Sequence, residues 1–210
     1  MSENVTENIR EVWNRYRYAA VNCTLAVLQV IFYLLNAALG GALYAPLALH
    51  AGAVLQGHQY WRLFTVMLMH ADLTHLLSNL LGQIFIGNIV EQNLGHARFG
   101  LLYFLCLAGA SACSVLHAVT NGWNGWCVGS SGAVFGLMGA LAVLILKGFR
   151  KYDSRRSLPQ RALFMLVYAV YSGSQSASVD NAAHVGGLLT GLLAGIILSL
   201  GIDPDLRRLL

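Results

Sequence analysis

The chain has 210 residues, of which 57% are hydrophobic and only 10% charged, with a net charge of +4. Apolar blocks of roughly the 20 residues that cross a bilayer, with so few charges between them, exclude a soluble globular domain and define a polytopic membrane protein. The basic excess does not mark a nucleic-acid binder, because the lysines and arginines gather in loops on one side of the predicted spans.

Residues 1–18 mix Glu3, Glu7 and Glu11 with Arg10, Arg15 and Arg17 and have no apolar core before Tyr18. They read as a short cytoplasmic segment rather than a secretory signal, and the first span serves as its own insertion signal. Six spans are predicted, at about Ala19–Leu39, His75–Val90, Phe99–Val119, Ser131–Lys147, Arg161–Ser172 and Asn181–Leu200. They form one helical membrane domain over 19–200, with 201–210 as a cytoplasmic tail. The segment from Gly40 to Thr74 is apolar but broken by Gly41, Pro46, Gly52 and Gly57, and it carries Tyr60, Trp61 and Arg62. It is expected to be a long outer loop of short helices half-buried at the interface. The loop from Asn121 to Val128, with Trp123 and Trp126, belongs at the same level. With six spans, Lys147, Arg150, Lys151, Arg155, Arg156 and Arg161, together with Arg98, Arg207 and Arg208, all fall on the side of the N-terminus, whereas an odd number would put Arg207 and Arg208 on the other side. The N-terminal side is assigned to the cytoplasm. Cys23, Cys106, Cys113 and Cys127 have no metal-ligand spacing, and no disulfide is expected.

With this topology the second, fourth and sixth spans begin at the outer side. Their first turns carry His75 and Asn79, Ser131, and His184, so four polar groups share one depth within a turn or two of the interface. Three helix N-termini point there too, which favours a developing anion. Ionisable or polar groups inside a membrane are costly and mark function. A serine hydroxyl needs a base to become a nucleophile and a neutral imidazole is the usual one, so Ser131 and His184 fit acyl transfer. Asn79, His75 and the backbone N–H of Ser131 are candidate oxyanion donors, with the N–H of Ser130 a further one. His75 and Asn79 are four apart and share a helix face. Asp180, four residues before His184, could orient the imidazole but reads more naturally as a helix N-cap. Small residues at four-residue spacing, Gly132 and Gly136 in the fourth span and Gly187, Gly191 and Gly195 in the sixth, would let these two helices approach closely. A metal at His70 and His75 lacks a third ligand at the expected spacing, and Cys127 precedes the helix start, so neither is favoured. No cofactor is implied.

The combination of Trp61-Arg62, His70, the run from His75 to Asn79, Gly129-Ser130-Ser131-Gly132 and Ala183-His184 with its glycine row resembles the rhomboid family of intramembrane serine proteases. The resemblance extends from Trp61 to Gly195. It implies a six-helix bundle of the bacterial type with a short central fourth helix and a water-filled cavity above Ser131. It also implies a Ser131/His184 dyad and an oxyanion site of His75, Asn79 and the Ser131 backbone. Trp61, Arg62, His70, Gly129, Gly132, Phe135, Gly136, Gly187 and Gly191 are supporting positions. The fifth helix and the loop from Ser172 to Asp180 would form a substrate gate. Substrates would be single-span membrane proteins cut near the outer interface, in a bacterial plasma membrane, with lipid as the other partner and no nucleic acid. Two positions depart from bacterial members: Phe135 replaces a tyrosine, and Glu91-Gln92-Asn93 lacks an arginine. These bear on local hydrogen bonding and on the anchoring of the first loop. Competing readings are a non-catalytic relative that binds transmembrane clients, which would usually lack the serine or histidine, and a small transporter. A transporter would need polar residues continuing through the even-numbered spans, where Gln83 and Thr190 are the main ones.

Overall fold

The computed structural model describes residues 19–148, 164, 167, 168, 171 and 180–202. Among these there is no β-strand, only one isolated antiparallel bridge between Leu49 and Cys127. The first spanning helix, α1, runs Ala20–Ala38. The following loop contains three short helices, α2 (Tyr44–Leu47), α3 (Ala51–Leu55) and α4 (Arg62–Thr65), and a 3₁₀ turn at Val66–Leu68. The second span is α5 (Leu73–Gly82), a π-helical segment at Gln83–Gly87 and α6 (Asn88–Leu94), continuous over 22 residues. Gly95 turns the chain at φ 84° into α7 (His96–Asn121). The bundle is completed by α8 (Ser131–Leu146) and α9 (Asn181–Leu198).

Four of these stretches are long and apolar enough to cross a membrane, and α8 is a shorter apolar helix. The second span starts at Leu73 rather than His75 because the Asp72 carboxylate accepts from the His75 N–H at 2.7 Å and caps it. The third is longer than its hydropathy suggests, extending through polar His96 and Asn121. Of the predicted fifth span, only Phe164, Val167, Tyr168 and Tyr171 are described, all with helical backbone; Tyr168 is buried, Phe164 half-buried, and Val167 and Tyr171 exposed. The N-terminal segment 1–18, most of the C-terminal tail, the basic loop after Gly148 and the predicted gate loop lie outside the described residues.

The central element is α8, with twelve of its sixteen residues buried. It meets α9 backbone to backbone along the two glycine rows. A Cβ on Gly187 would lie 2.0 Å from the Gly132 carbonyl oxygen, and one on Gly191 only 1.9 Å from that of Gly136. No side chain fits in either place. Further along the same seam Gly195 lies against Ala140. On the other side of α8, Gly136 faces Cys106 of α7.

Buried polar contacts tie the periphery to this pair. Glu91, fully buried, accepts from the first-turn N–H groups of Val21 and Asn22 at 2.9 and 2.7 Å and pairs with His96. It therefore caps α1 at the end remote from the first loop. Among the described residues the Glu91 side chain makes no hydrogen bond to that loop. Arg62 does the anchoring: its guanidinium donates to the carbonyls of Ala45 and Ala48, each at 2.6 Å, and to Gln59, and lies over the Trp126 ring. The Trp61 indole donates to the Pro46 carbonyl and Thr65 to that of Leu47. The loop is thus folded on itself and joined through Leu49 to the strand-like segment that leads into α8.

Candidate active site

The first turns of α5, α8 and α9 meet around a cavity of about 340 Å³ lined by His75, Asn79, Gly129, Ser131 and His184, among others. The glycine seam brings Ser131 and His184 within reach of each other despite a sequence separation of 53. His184 Nε2 lies 2.9 Å from Ser131 Oγ, a hydrogen bond whose direction depends on the tautomer. Phe135, one turn after the serine, stacks on the imidazole with ring centroids 4.2 Å apart and planes 8° from parallel. The ring function is therefore kept without the tyrosine hydroxyl.

Two donors face the pair from α5. Gly129, at φ +108°, carries the backbone so close that a Cβ there would sit 2.7 Å from His75 Nε2 and 3.1 Å from Asn79 Nδ2. Any larger residue would fill the space between these nitrogens, which gives the glycine a reason beyond its left-handed φ. The Asn79 amide is oriented by Tyr168, whose hydroxyl donates to Asn79 Oδ1 at 3.0 Å and so leaves Nδ2 as the outward donor. That nitrogen is buried and has no protein partner among the described residues. Tyr168 was not singled out from the sequence, since nothing local marks one tyrosine of a fifth span as facing Asn79.

The remaining predicted positions surround this centre. His70 packs edge-on to His75 at 5.3 Å between centroids, and burial together with the neighbouring His75 pushes its pKa down to about 3, so it is a neutral ring packed beside His75. Asp180 accepts from the Ala183 N–H at 2.9 Å as the N-cap of α9, and its second oxygen accepts from the Cys127 thiol at 3.1 Å. Its backbone carbonyl accepts from the His184 N–H at 3.2 Å, but its carboxylate makes no bond to the imidazole, whose Nδ1 is buried without a partner among the described residues. Burial pushes the Cys127 thiol up to about 12, with the Asp180 carboxylate adding to the effect, so Cys127 is a protonated donor and not a thiolate. Among the described residues no three His, Cys, Asp or Glu side chains gather as a metal site.

A serine hydrogen-bonded to an imidazole, next to uncommitted amide and imidazole donors at the N-terminus of a buried helix, is an arrangement suited to acyl transfer. These features define an all-helical integral membrane protein with a Ser–His pair in a cavity between its helices. The Rhomboid domain family model matches residues 57–201. RHOMBOID-like protein 1 of Arabidopsis thaliana is 37% identical over 150 residues, covering 71% of this chain and 37% of that protein. Rhomboid protease GluP of Bacillus subtilis is 29% identical over 178 residues (82% of this chain, 34% of that protein). Rhomboid protease GlpG of Pectobacterium atrosepticum is 34% identical over 144 residues (64% and 47%). The chain belongs to the rhomboid family, and it spans less than half the length of each of these relatives.

Proposed function

We propose that this protein is an intramembrane serine endopeptidase that cuts transmembrane segments of other membrane proteins near the outer face of the membrane. Ser131 is the nucleophile and His184 the general base. As Ser131 Oγ bonds to the scissile carbonyl carbon, its proton passes to His184 Nε2, and the carbonyl oxygen becomes an oxyanion between Asn79 Nδ2, His75 Nε2 and the Ser131 N–H. The C–N bond then breaks with that proton delivered to the leaving amine. Water, deprotonated by the same imidazole, releases the acyl group and restores the serine. One donor of this kind is worth roughly 2.7 to 4 kcal/mol in the transition state. Both termini lie in the cytoplasm in this reading, because that places the basic loops inside. The single membrane domain then opens its cavity outward.

The observation that carries the reading is the 2.9 Å hydrogen bond between His184 Nε2 and Ser131 Oγ inside a cavity that also presents Asn79 and His75. A fluorophosphonate probe tests it. Labelling of the purified protein that is lost in Ser131→Ala, together with cleavage of a transmembrane substrate lost in the same variant, is expected. Cleavage retained by Ser131→Ala, after contaminating proteases are removed, would falsify the assignment.

A further inference from the structure

Three helices begin at the cavity, and their first turns are not treated alike. Asp72 caps α5 by accepting from the N–H of its third residue, and Asp180 caps α9 in the same way. Ser130 stands at the corresponding place before α8. Serine is among the best residues for that task, its oxygen accepting from the N–H two or three residues on. Here it makes no such bond. Its backbone sits at φ −94°, ψ 6°, away from the extended conformation that capping residues usually adopt. The N–H groups of Ser131, Gly132 and Ala133 have no partner among the described residues.

What holds Ser130 away is a closed set of hydrogen bonds across three other helices. Ser130 Oγ donates to Gln29 Oε1 of α1 at 3.0 Å. Gln29 Nε2 donates to Gln83 Oε1 in the π-helical segment at 2.7 Å and to Tyr103 OH of α7 at 3.2 Å. The Tyr103 hydroxyl donates in turn to Gln83 Oε1 at 3.1 Å. All four residues are fully buried. Both amide hydrogens and the carbonyl oxygen of Gln29 are engaged, and in a water-free interior a network satisfied in this way is hard to rearrange.

We propose that Gln29 is a positioning residue for the reaction: by taking the Ser130 hydroxyl as a donor it prevents Ser130 from capping α8. The positive end of the helix, with its first-turn N–H groups unpaired, is thereby left to favour the oxyanion held at the Ser131 N–H. Without Gln29 the hydroxyl is free to fold back on the Gly132 or Ala133 N–H. The Ser130 backbone then relaxes toward the extended region, and the Gly129 segment moves away from His75 and Asn79. The inference rests on the reading of Ser131 as nucleophile.

The test is a double-mutant cycle in the full chain in detergent or liposomes, with kcat and KM on a transmembrane peptide and the rate of fluorophosphonate labelling. Gln29→Leu should lower kcat and the labelling rate by roughly 10- to 100-fold with little change in KM, the scale of a small misplacement at a reacting centre. Gln29→Glu, which keeps an acceptor for Ser130, should lose less. Adding Ser130→Ala to Gln29→Leu removes the hydroxyl that would cap, so the double variant should be at least about threefold faster than Gln29→Leu alone, the sign reversal that coupled neighbours can show. A double variant no faster than Gln29→Leu overturns the inference, because a purely structural role for Gln29 is made worse by a second lesion. If Gln29→Leu does not accumulate, Gln29→Met, of similar length, replaces it on both arms. Labelling that survives Ser131→Ala in an otherwise unchanged chain instead overturns the underlying reading, and the inference with it.

Discussion

The helices α8 and α1 are both apolar, yet they are built to opposite plans. Twelve of sixteen residues are buried in α8, on every side, whereas α1 buries four of nineteen. Those four, Asn22, Leu25, Ala26 and Gln29, fall at i, i+3, i+4 and i+7, one narrow stripe of a helix otherwise turned outward. The stripe begins and ends with an amide. Hydrophobicity places both helices in the membrane but does not tell them apart. Close packing of glycine backbones fixes α8, whereas polar contacts fix α1, through Glu91 and the Asn22 side chain near its start and Gln29 in its middle.

Several substitutions test that contrast. Gly191→Val strikes the α8–α9 seam where a Cβ has only 1.9 Å to the Gly136 carbonyl oxygen. Backbone cannot yield as a side chain can, so turnover should fall below detection, with a displacement of about 1 Å at the reacting groups alone costing roughly 10²-fold. Wild-type-like cleavage would break the claim that the seam sets the site. Asn79→Ala removes a donor without touching the seam, and kcat should drop roughly 10²- to 10³-fold with KM near wild type. A rise in KM alone would assign Asn79 to substrate contact.

Smaller effects are expected on stability. Glu91→Gln takes charge and an acceptor from the start of α1 and should lower unfolding free energy by about 2 kcal/mol, measured by thermal or denaturant unfolding in detergent. Asp180→Ala should cost about 1 kcal/mol through the lost cap of α9. The acid limb of the pH–rate profile should persist in this variant, because activity needs a neutral His184 and falls as that ring takes a proton. A large fall in kcat in this variant would give Asp180 the orienting role that its hydrogen bonds to Ala183 and Cys127 do not supply. At the low end, Leu34→Ala on the outward face of α1, a residue 60% exposed, should shift stability by no more than about 0.5 kcal/mol.

The sequence was most readable where a local rule acts. Ser131, His184, His75 and Asn79 stand out because polar side chains are conspicuous in apolar helices, and topology alone puts them at one depth. The first and last spans begin and end within two residues of expectation, since hydropathy and caps act locally. Gln29 and Asn22 are also polar residues in a span, and the same rule could have marked them, but their partners depend on how α1 is rotated against α5 and α7. The π-helical turn at Gln83–Gly87 shifts the register of the second span by a fraction of a turn, and no residue in it announces that. Glu91 illustrates the remaining difficulty: its place at the end of a helix is visible in the sequence, whereas the helix it caps lies some seventy positions earlier.

The glycine seam between α8 and α9 also bears on how the molecule is made. Spans enter the membrane in order from the N-terminus, and helices pack once inserted. Ser131 is therefore in place, on a helix with half its seam unpaired, before the segment bearing His184 has been synthesised. Until α9 slides its glycines against those of α8, the serine hydroxyl has no imidazole beside it. On the proposed mechanism such a chain stays chemically silent until α9 has been inserted beside α8.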